Sequence, residues 1–203
     1  MRGWFSRAYD PVETVEPGGS VSFHVPNAGW FWDARVEPER PEGAGHALHG
    51  PIEVRGARAG QTLVVRIDEV VPRDWGRTWA DGETFTWLLA GDGHGAQGDG
   101  EVSGTAIECP LERVTLTLRV EERELRSPIA RTADSWLAFA FDEDLDAAAH
   151  QATETMLDLM EHELGATRRE ALALASVAVD LHVTQVVNEV KGVHAVLRDD
   201  AIR

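Results

Sequence analysis

Residues 89–110 read LAGDGHGAQGDGEVSGTAIECP, and glycines alternate there with polar side chains. Glycine allows positive φ and a close approach of the backbone to a ligand, although it costs conformational entropy on folding. We call residues 91–104 the glycine segment. Its polar members are of the kinds that bind cations or move protons, namely Asp92, His94, Gln97, Asp99 and Glu101. So dense a set of these residues predicts a functional loop.

Two pairs of side chains in the glycine segment suggest a metal site. Asp92 and His94 are two positions apart, as are Asp99 and Glu101, and extended backbone places both members of such a pair on one face. Carboxylate and imidazole ligands without thiolates suit a divalent metal such as Zn, Mn or Ca. We therefore expect a divalent metal cofactor.

Other interpretations of the glycine segment fit its residues less well. A flexible linker is rich in Gly and Ser rather than in Gly, Asp, His and Glu. The order of ligands in an EF-hand is not matched, and the Lys-Ser/Thr end of a phosphate-binding P-loop is missing. Apolar runs at residues 85–89 and 102–107 flank the segment, so we expect it to connect two buried strands.

The charge of the chain excludes several classes of partner. The 203 residues carry a net charge of −16, whereas binding to nucleic acids or anionic membranes requires a basic surface. Cys109 is the single cysteine, which excludes an internal disulfide and fits a reducing compartment. The sequence has no apolar run of membrane-spanning length and no signal-like h-region, so we expect a cytoplasmic protein.

The first two thirds of the chain have the alternating pattern of β-strands. The alternating stretches are residues 20–25, 62–70, 84–89, 113–120 and 135–141. Many short strands separated by turns are typical of a β-sandwich or a distorted barrel.

The apolar period changes to that of a helix after Phe141, and Gly165 supplies a stop. Thr167 and Glu170 then form a capping box that begins a second helix, which we expect to run to about Asp180. Strand-like residues follow at 183–187 and 193–197. These patterns predict an α+β fold, a mainly antiparallel sandwich or distorted barrel with two C-terminal helices. Residues 1–141 would form the β body and residues 142–203 a part packed on it, in one integrated domain.

The stretch at residues 89–110 resembles the signature segment of the acetamidase/formamidase family, hydrolases that cleave small amides to a carboxylic acid and ammonia. Three further blocks follow the family's order and resemble its N-terminal strand and turn, its His/Asn-Pro-x-Thr-Gly-Pro segment and its C-terminal block. They are residues 10–20 (DPVETVEPGGS), 46–63 (HALHGPIEVRGARAGQTL) and 178–196 (AVDLHVTQVVNEVKGVHAV). The resemblance implies an amide hydrolase.

The sequence departs from this family in two places. A middle portion with a Gly-Gly-Asn-x-Asp motif is absent between Trp79 and Phe85, so the chain resembles a shortened member. Ala47 and His49 replace the family's proline and threonine. One alternative is therefore a paralogue that keeps the fold and binds a metal or small ligand without catalysis. Another is a hydrolase that is open to larger amides.

Under the leading hypothesis, a metal polarises the amide carbonyl and acidifies a bound water. We assign the metal to Asp92 and His94, joined by one or more of Asp99, Glu101, His46 and His49. Because His46 and His49 are three positions apart in a loop, they can equally well ligate a metal or cap backbone groups.

The catalytic residues assigned from the sequence are Asp99, Glu101, Gln97 and Lys191. Glu101 or Asp99 would act as the general base, and Gln97 with nearby backbone N–H groups would hold the oxyanion. Lys191 is the only lysine, and it falls within the C-terminal block of the resemblance. Its compact ammonium either titrates in the reaction or is a tolerated surface charge.

The remaining histidines and aromatic residues favour structural roles. His182 and His194 lie in strand-like stretches, where a hydrogen-bonded structural histidine is favoured. The aromatic run at residues 30–32 would mark a self-association surface if it is exposed. The expected partners are a small amide substrate and further copies of the chain.

Overall fold

The computed structural model describes residues 1–80, 82–88, 107–187 and 189–202. Within these residues the chain forms mostly antiparallel sheets and two helices without a closed barrel, which confirms the predicted α+β class. The described residues group into two compact units, and the division falls between Glu124 and Leu125. The division suggested by the sequence instead follows residue 141.

The regular structure described in the first unit consists of strands. Their bounds are β1 Glu13–Val15, β2 Ser20–Val25, β3 Ile52–Val54, β4 Thr62–Pro72, β5 Trp75–Ala80, β6 Glu83–Leu88 and β7 Leu111–Glu121. An antiparallel sheet has the order β2-β7-β4, β1 pairs with β3 in parallel, and β5 with β6 forms an antiparallel pair. Four of the five alternating stretches therefore correspond to strands of this unit, namely β2, β4, β6 and β7, and the stretch at residues 135–141 belongs to the second unit.

The β2-β7-β4 sheet has one apolar and one polar face, as strand alternation requires. Val21 and Leu118 lie on the apolar face and pack with Val15 and Val54, which come from β1 and β3. On the other face hydroxyl groups pair across the strands, and Ser20 Oγ lies 2.7 Å from Thr117 Oγ1. The apolar face therefore forms the core of this unit.

The second unit combines a four-stranded sheet with both helices. Its elements are β8 Ile129–Arg131, β9 Ser135–Asp142, α1 Leu145–Leu164, α2 Arg168–Ala178, β10 Val179–Gln185 and β11 Lys191–Arg198. The sheet is antiparallel throughout, in the order β10-β11-β9-β8. Because β8 and β9 share this unit with the helices, the observed boundary precedes the one suggested by the sequence.

Small side chains on the sheet make room for α1. Ala138, Ala140 and Ala195 are completely buried, and so are Met156 and Met160 of the helix. Alanine brings the helix close to the strands, and the flexible methionine side chains fill the remaining space. This interface is the core of the second unit.

Local signals set the ends of the helices. Gly165 caps α1 in the left-handed conformation with φ 65°, as expected from the sequence. The predicted capping box at the start of α2 is confirmed, since Thr167 Oγ1 accepts from the Glu170 N–H and the Glu170 carboxylate accepts from the Thr167 N–H. The expected end of α2 near Asp180 was two residues late, because strand pairing with β11 begins at Val179.

In the part of the chain that the structure describes, neither helix has the length and apolar character needed to span a membrane.

Candidate functional site

All five polar residues assigned to the glycine segment lie outside the described residues. They are Asp92, His94, Gln97, Asp99 and Glu101, within the stretch 89–106. Their assigned roles therefore stay predictions. The residues on either side of this stretch are described, and they show where the segment leaves and rejoins the fold.

Both flanks of the glycine segment are attached to β5. On the incoming side, β6 pairs with β5 in antiparallel fashion. On the outgoing side, the Glu108 N–H donates to the Arg77 carbonyl at 2.7 Å, and the Arg77 N–H donates to the Glu108 carbonyl at 3.0 Å. β5 thus lies between the two flanks and is hydrogen-bonded to both of them.

Gly76 allows the outgoing flank to lie directly against β5. A Cβ atom on this glycine would lie 2.5 Å from Ile107 Cγ2 and 2.8 Å from Cys109 Sγ. Such distances are well below van der Waals contact, so a larger residue would displace the flank. The sequence reasoning did not single out Gly76, since its role depends on residues 31 to 33 positions later in the chain.

A buried asparagine connects this flank to a second part of the first unit. Asn27 is only 3% exposed, and its Oδ1 accepts from the Phe31 N–H at 2.9 Å. Its Nδ2 donates to the Glu108 carbonyl at 3.4 Å. The turn at residues 27–31 therefore contacts the chain immediately after the glycine segment.

The same turn holds the backbone around His46. The Ala47 N–H donates to the Ala28 carbonyl at 2.9 Å, and Trp30 Nε1 donates to the Gly45 carbonyl at 2.9 Å. Trp30 is buried and Trp32 is exposed, so the aromatic run at residues 30–32 is partly exposed. The 27–31 turn thus brings the His46 backbone and the outgoing flank to one place.

His49 lies in the same block as His46 but in a different environment. Its ring packs on Phe23 with centroids 4.0 Å apart. Partial burial lowers the pKa of His49, the N-terminal amine lowers it further, and Glu13 acts in the opposite direction. These effects favour the neutral imidazole, which is the form that ligates metals.

Among the described residues, no group of three or more His, Cys, Asp or Glu side chains lies close enough together to hold a metal ion. His46 and His49 are both exposed and do not make such a site with described neighbours. A metal bound by them would need further ligands from outside the described residues.

Comparison with solved structures gives closely similar folds. The chain matches the acetamidase from Bacillus halodurans with a TM-score of 0.80 and 22% identity, over 95% of this chain and 92% of that one. An acetamidase/formamidase from the thermophile Thermoanaerobacter tengcongensis, itself described as predicted, gives a TM-score of 0.76 at 16% identity, over 96% and 92%. The acetamidase from Yersinia enterocolitica gives 0.75 at 17%, over 97% and 88%. The chain has the acetamidase/formamidase fold.

No family model and no curated protein matches the sequence. In each structural comparison the match runs nearly from end to end of both chains. The absence of a middle portion between Trp79 and Phe85 stays a prediction. The resemblance found in four sequence blocks is confirmed at the level of the fold.

The C-terminal block of the acetamidase/formamidase resemblance lies in the second unit. Lys191 is the first residue of β11, where it is partly buried and stands opposite Asp142 of β9. Gly192 follows in a confined position, since a Cβ atom there would lie 2.9 Å from the Phe141 ring. The assigned catalytic role of Lys191 stays a prediction.

The two histidines of this block are neighbours on adjacent strands. His194 is 5% exposed, and its Nδ1 lies 2.8 Å from Thr184 Oγ1. The ring of His182 stacks on it with centroids 5.3 Å apart. His194 is thus a buried and hydrogen-bonded histidine, as its strand context predicted.

Proposed function

We propose that this protein hydrolyses small linear amides such as acetamide and formamide and releases ammonia. The acetamidase/formamidase fold supports this proposal. The observation that carries it furthest is the 27–31 turn, which binds both the backbone beside His46 and Glu108 at the exit of the glycine segment. Two sequence blocks assigned to the site therefore share one anchor.

We further propose that the reaction uses a divalent metal, namely Zn, Ca or Mn. Asp92 and His94 would hold it, with His46 or His49 as a further ligand. Its chemistry would be that of a Lewis acid for the amide carbonyl. The lowered pKa of His49 suits this role, because a protonated imidazole has no lone pair to donate.

The remaining roles belong to side chains of the protein. A carboxylate that does not ligate the metal, Glu101 or Asp99, would take a proton from the attacking water and return it to the departing ammonia. Gln97 and the backbone N–H groups of the glycine segment would donate hydrogen bonds to the developing oxyanion. Lys191 would supply a compact cation that can titrate.

Ammonia release from formamide and acetamide tests the proposal. We expect the purified protein to produce ammonia in proportion to its concentration, and we expect a chelator to stop the release until metal is restored. The metal content of the same preparation is measured by elemental analysis. Stoichiometric metal without ammonia release would instead support the non-catalytic binding protein. A panel of amides with longer acyl groups tests whether the substrate is larger.

We also propose that the protein forms homo-oligomers in the cytoplasm. The apolar face of β4 supports self-association, because Leu63, Val65 and Ile67 alternate along this strand and are all exposed. Sedimentation of the purified protein tests this, and a monomer at micromolar concentration would contradict it.

A further inference from the structure

The first unit contains a cleft of about 390 Å³, and one of its walls is the N-terminal stretch, which has no role in the proposed hydrolysis. It is lined by the N-terminal stretch on one side and by the segment around His49 on the other. The lining residues are Arg2, Trp4, Phe5, Ser6, Arg7, Tyr9, Leu48, His49, Gly50 and Pro51. Its volume lies within the range of pockets that bind small molecules, roughly 300–1,000 Å³.

Backbone hydrogen bonds hold the two walls of the cleft together. Arg2 and Leu48 exchange two of these bonds, each 2.8 Å long. The Gly45 N–H donates to the Gly3 carbonyl at 3.0 Å, so residues 2 and 3 are both attached to the opposite wall. The cleft is therefore a formed feature of this unit rather than a gap beside a loose chain end.

The charge of the cleft is opposite to that of the protein as a whole. Arg2 and Arg7 are both among the residues that line the cleft. None of the described residues that line the cleft is acidic, whereas the chain has a net charge of −16. The lining thus offers two arginines to a carboxylate, with Glu13 near enough to act on His49, and guanidinium forks match carboxylate geometry.

Aromatic rings complete the recognition surface. The Arg2 guanidinium lies 4.5 Å from the centroid of the Tyr9 ring, which positions both groups at the cleft. Trp4 is 49% exposed and Phe5 is 91% exposed, so two large rings face outward beside the positive charges. Exposed aromatic side chains next to a cleft are typical of ligand-binding surfaces.

We propose that this cleft binds a small aryl carboxylate. The acid group would be held by Arg2 and Arg7, and the aryl group would pack on Trp4, Phe5 and Tyr9. None of the five residues of this proposed site has a role in the proposed hydrolysis, although His49, a candidate metal ligand, lines the same cleft.

Calorimetric titration of the untagged protein tests the proposal with three probes. Phenylacetate has both recognition elements, acetate lacks the ring, and 2-phenylethanol lacks the charge. None of the three is an amide, so loss of hydrolase activity would not affect the result. We expect phenylacetate to bind at least tenfold more tightly than either of the other probes.

Two variants assign the binding to the cleft. We expect R2Q and R7Q each to weaken phenylacetate binding about tenfold while binding of 2-phenylethanol stays the same. R58Q is the matched control, since Arg58 is an exposed arginine of the same unit that pairs with Glu122 at 2.9 Å instead. Circular dichroism confirms that each variant is folded.

Three results would overturn the proposal. Equal affinities for phenylacetate and 2-phenylethanol would show that Arg2 and Arg7 do not bind the acid group. Unchanged phenylacetate binding by folded R7Q would place the ligand elsewhere. Absence of binding by all three probes at millimolar concentration would show that the cleft does not recognise aryl carboxylates.

Discussion

The second unit buries thirteen residues in one cluster between α1 and the sheet, whereas the corresponding cluster of the first unit has four, among the described residues. The first unit instead depends on turns and on hydrogen bonds between distant segments, such as those of Asn27 and Trp30. Met156 of α1 and Asn27 thus represent two ways of holding a fold together, by apolar packing and by a buried amide.

Apart from Lys191, the described residues assigned to function lie in the first unit. The described residues of the first unit carry the His46 block, the flanks of the glycine segment and the N-terminal cleft. Functional groups are commonly placed on loops that a rigid scaffold positions. We therefore expect substitutions in the second unit to reduce stability most, and substitutions at the 27–31 turn to reduce activity more than stability alone explains.

The largest expected effect on stability is that of Met156→Ala. Met156 is completely buried in the larger cluster, and truncation there leaves a cavity that costs about 2–5 kcal/mol. Urea unfolding followed by circular dichroism measures the loss. Leu172→Ala is the control, because Leu172 lies on α2 and is exposed, and it should change the free energy of unfolding little. Equal effects of the two substitutions would contradict the comparison.

A smaller loss is expected for Asn27→Ala. The substitution removes the hydrogen bonds to the Phe31 N–H and the Glu108 carbonyl, which costs about 2–3 kcal/mol. Ammonia release should fall even at a temperature where the variant is fully folded, since the exit of the glycine segment loses its anchor. Normal turnover by folded Asn27→Ala would show that this turn does not position the site.

Gly76→Ala tests the other anchor of the glycine segment. The new Cβ atom would press on Ile107 and Cys109, and such overpacking costs about 1–2 kcal/mol. Gly82→Ala is an informative comparison, because Gly82 has open space around it but a φ of 83° that strains an alanine. We expect ammonia release to fall in Gly76→Ala more than in Gly82→Ala, measured at equal folded fractions.

The smallest effect concerns the capping box of α2 and depends on pH. Hydrogen bonds from the Thr167 backbone and hydroxyl lower the pKa of Glu170 below its ordinary value of 4.5. The ionised carboxylate therefore stabilises the fold above that pH, and its contribution is lost as pH falls through the lowered pKa. We expect Glu170→Gln to have a lower melting temperature than the wild type at pH 7, and we expect this difference to shrink as the pH is lowered toward 3. A difference in melting temperature that stays constant across this range would show that ionisation of the Glu170 carboxylate does not stabilise the fold.

Patterns that repeat locally were sufficient to predict many elements. The alternation at residues 20–25 gave β2 with its observed ends, and Gly165 marked the end of α1. The three-residue strands β1 and β3 were not predicted, because alternation over three residues is no signal.

Contacts between residues that are distant in the sequence could not be predicted from such local patterns. Asn27 and Glu108 are 81 positions apart, and nothing in the sequence near either one indicates the other. The N-terminal cleft likewise depends on the pairing of Arg2 with Leu48. A signal was present, however, since two arginines and three aromatic residues fall within the first nine positions of an acidic chain.

Ammonia release by His94→Ala tests the central proposal most directly. His150→Ala is the matched control, because His150 lies on the exposed side of α1 in the second unit. We expect His94→Ala to abolish ammonia release from acetamide and formamide while its melting temperature stays that of the wild type, and we expect His150→Ala to retain full activity. Ammonia release by His94→Ala at the wild-type rate would contradict the proposal that the glycine segment carries the chemistry.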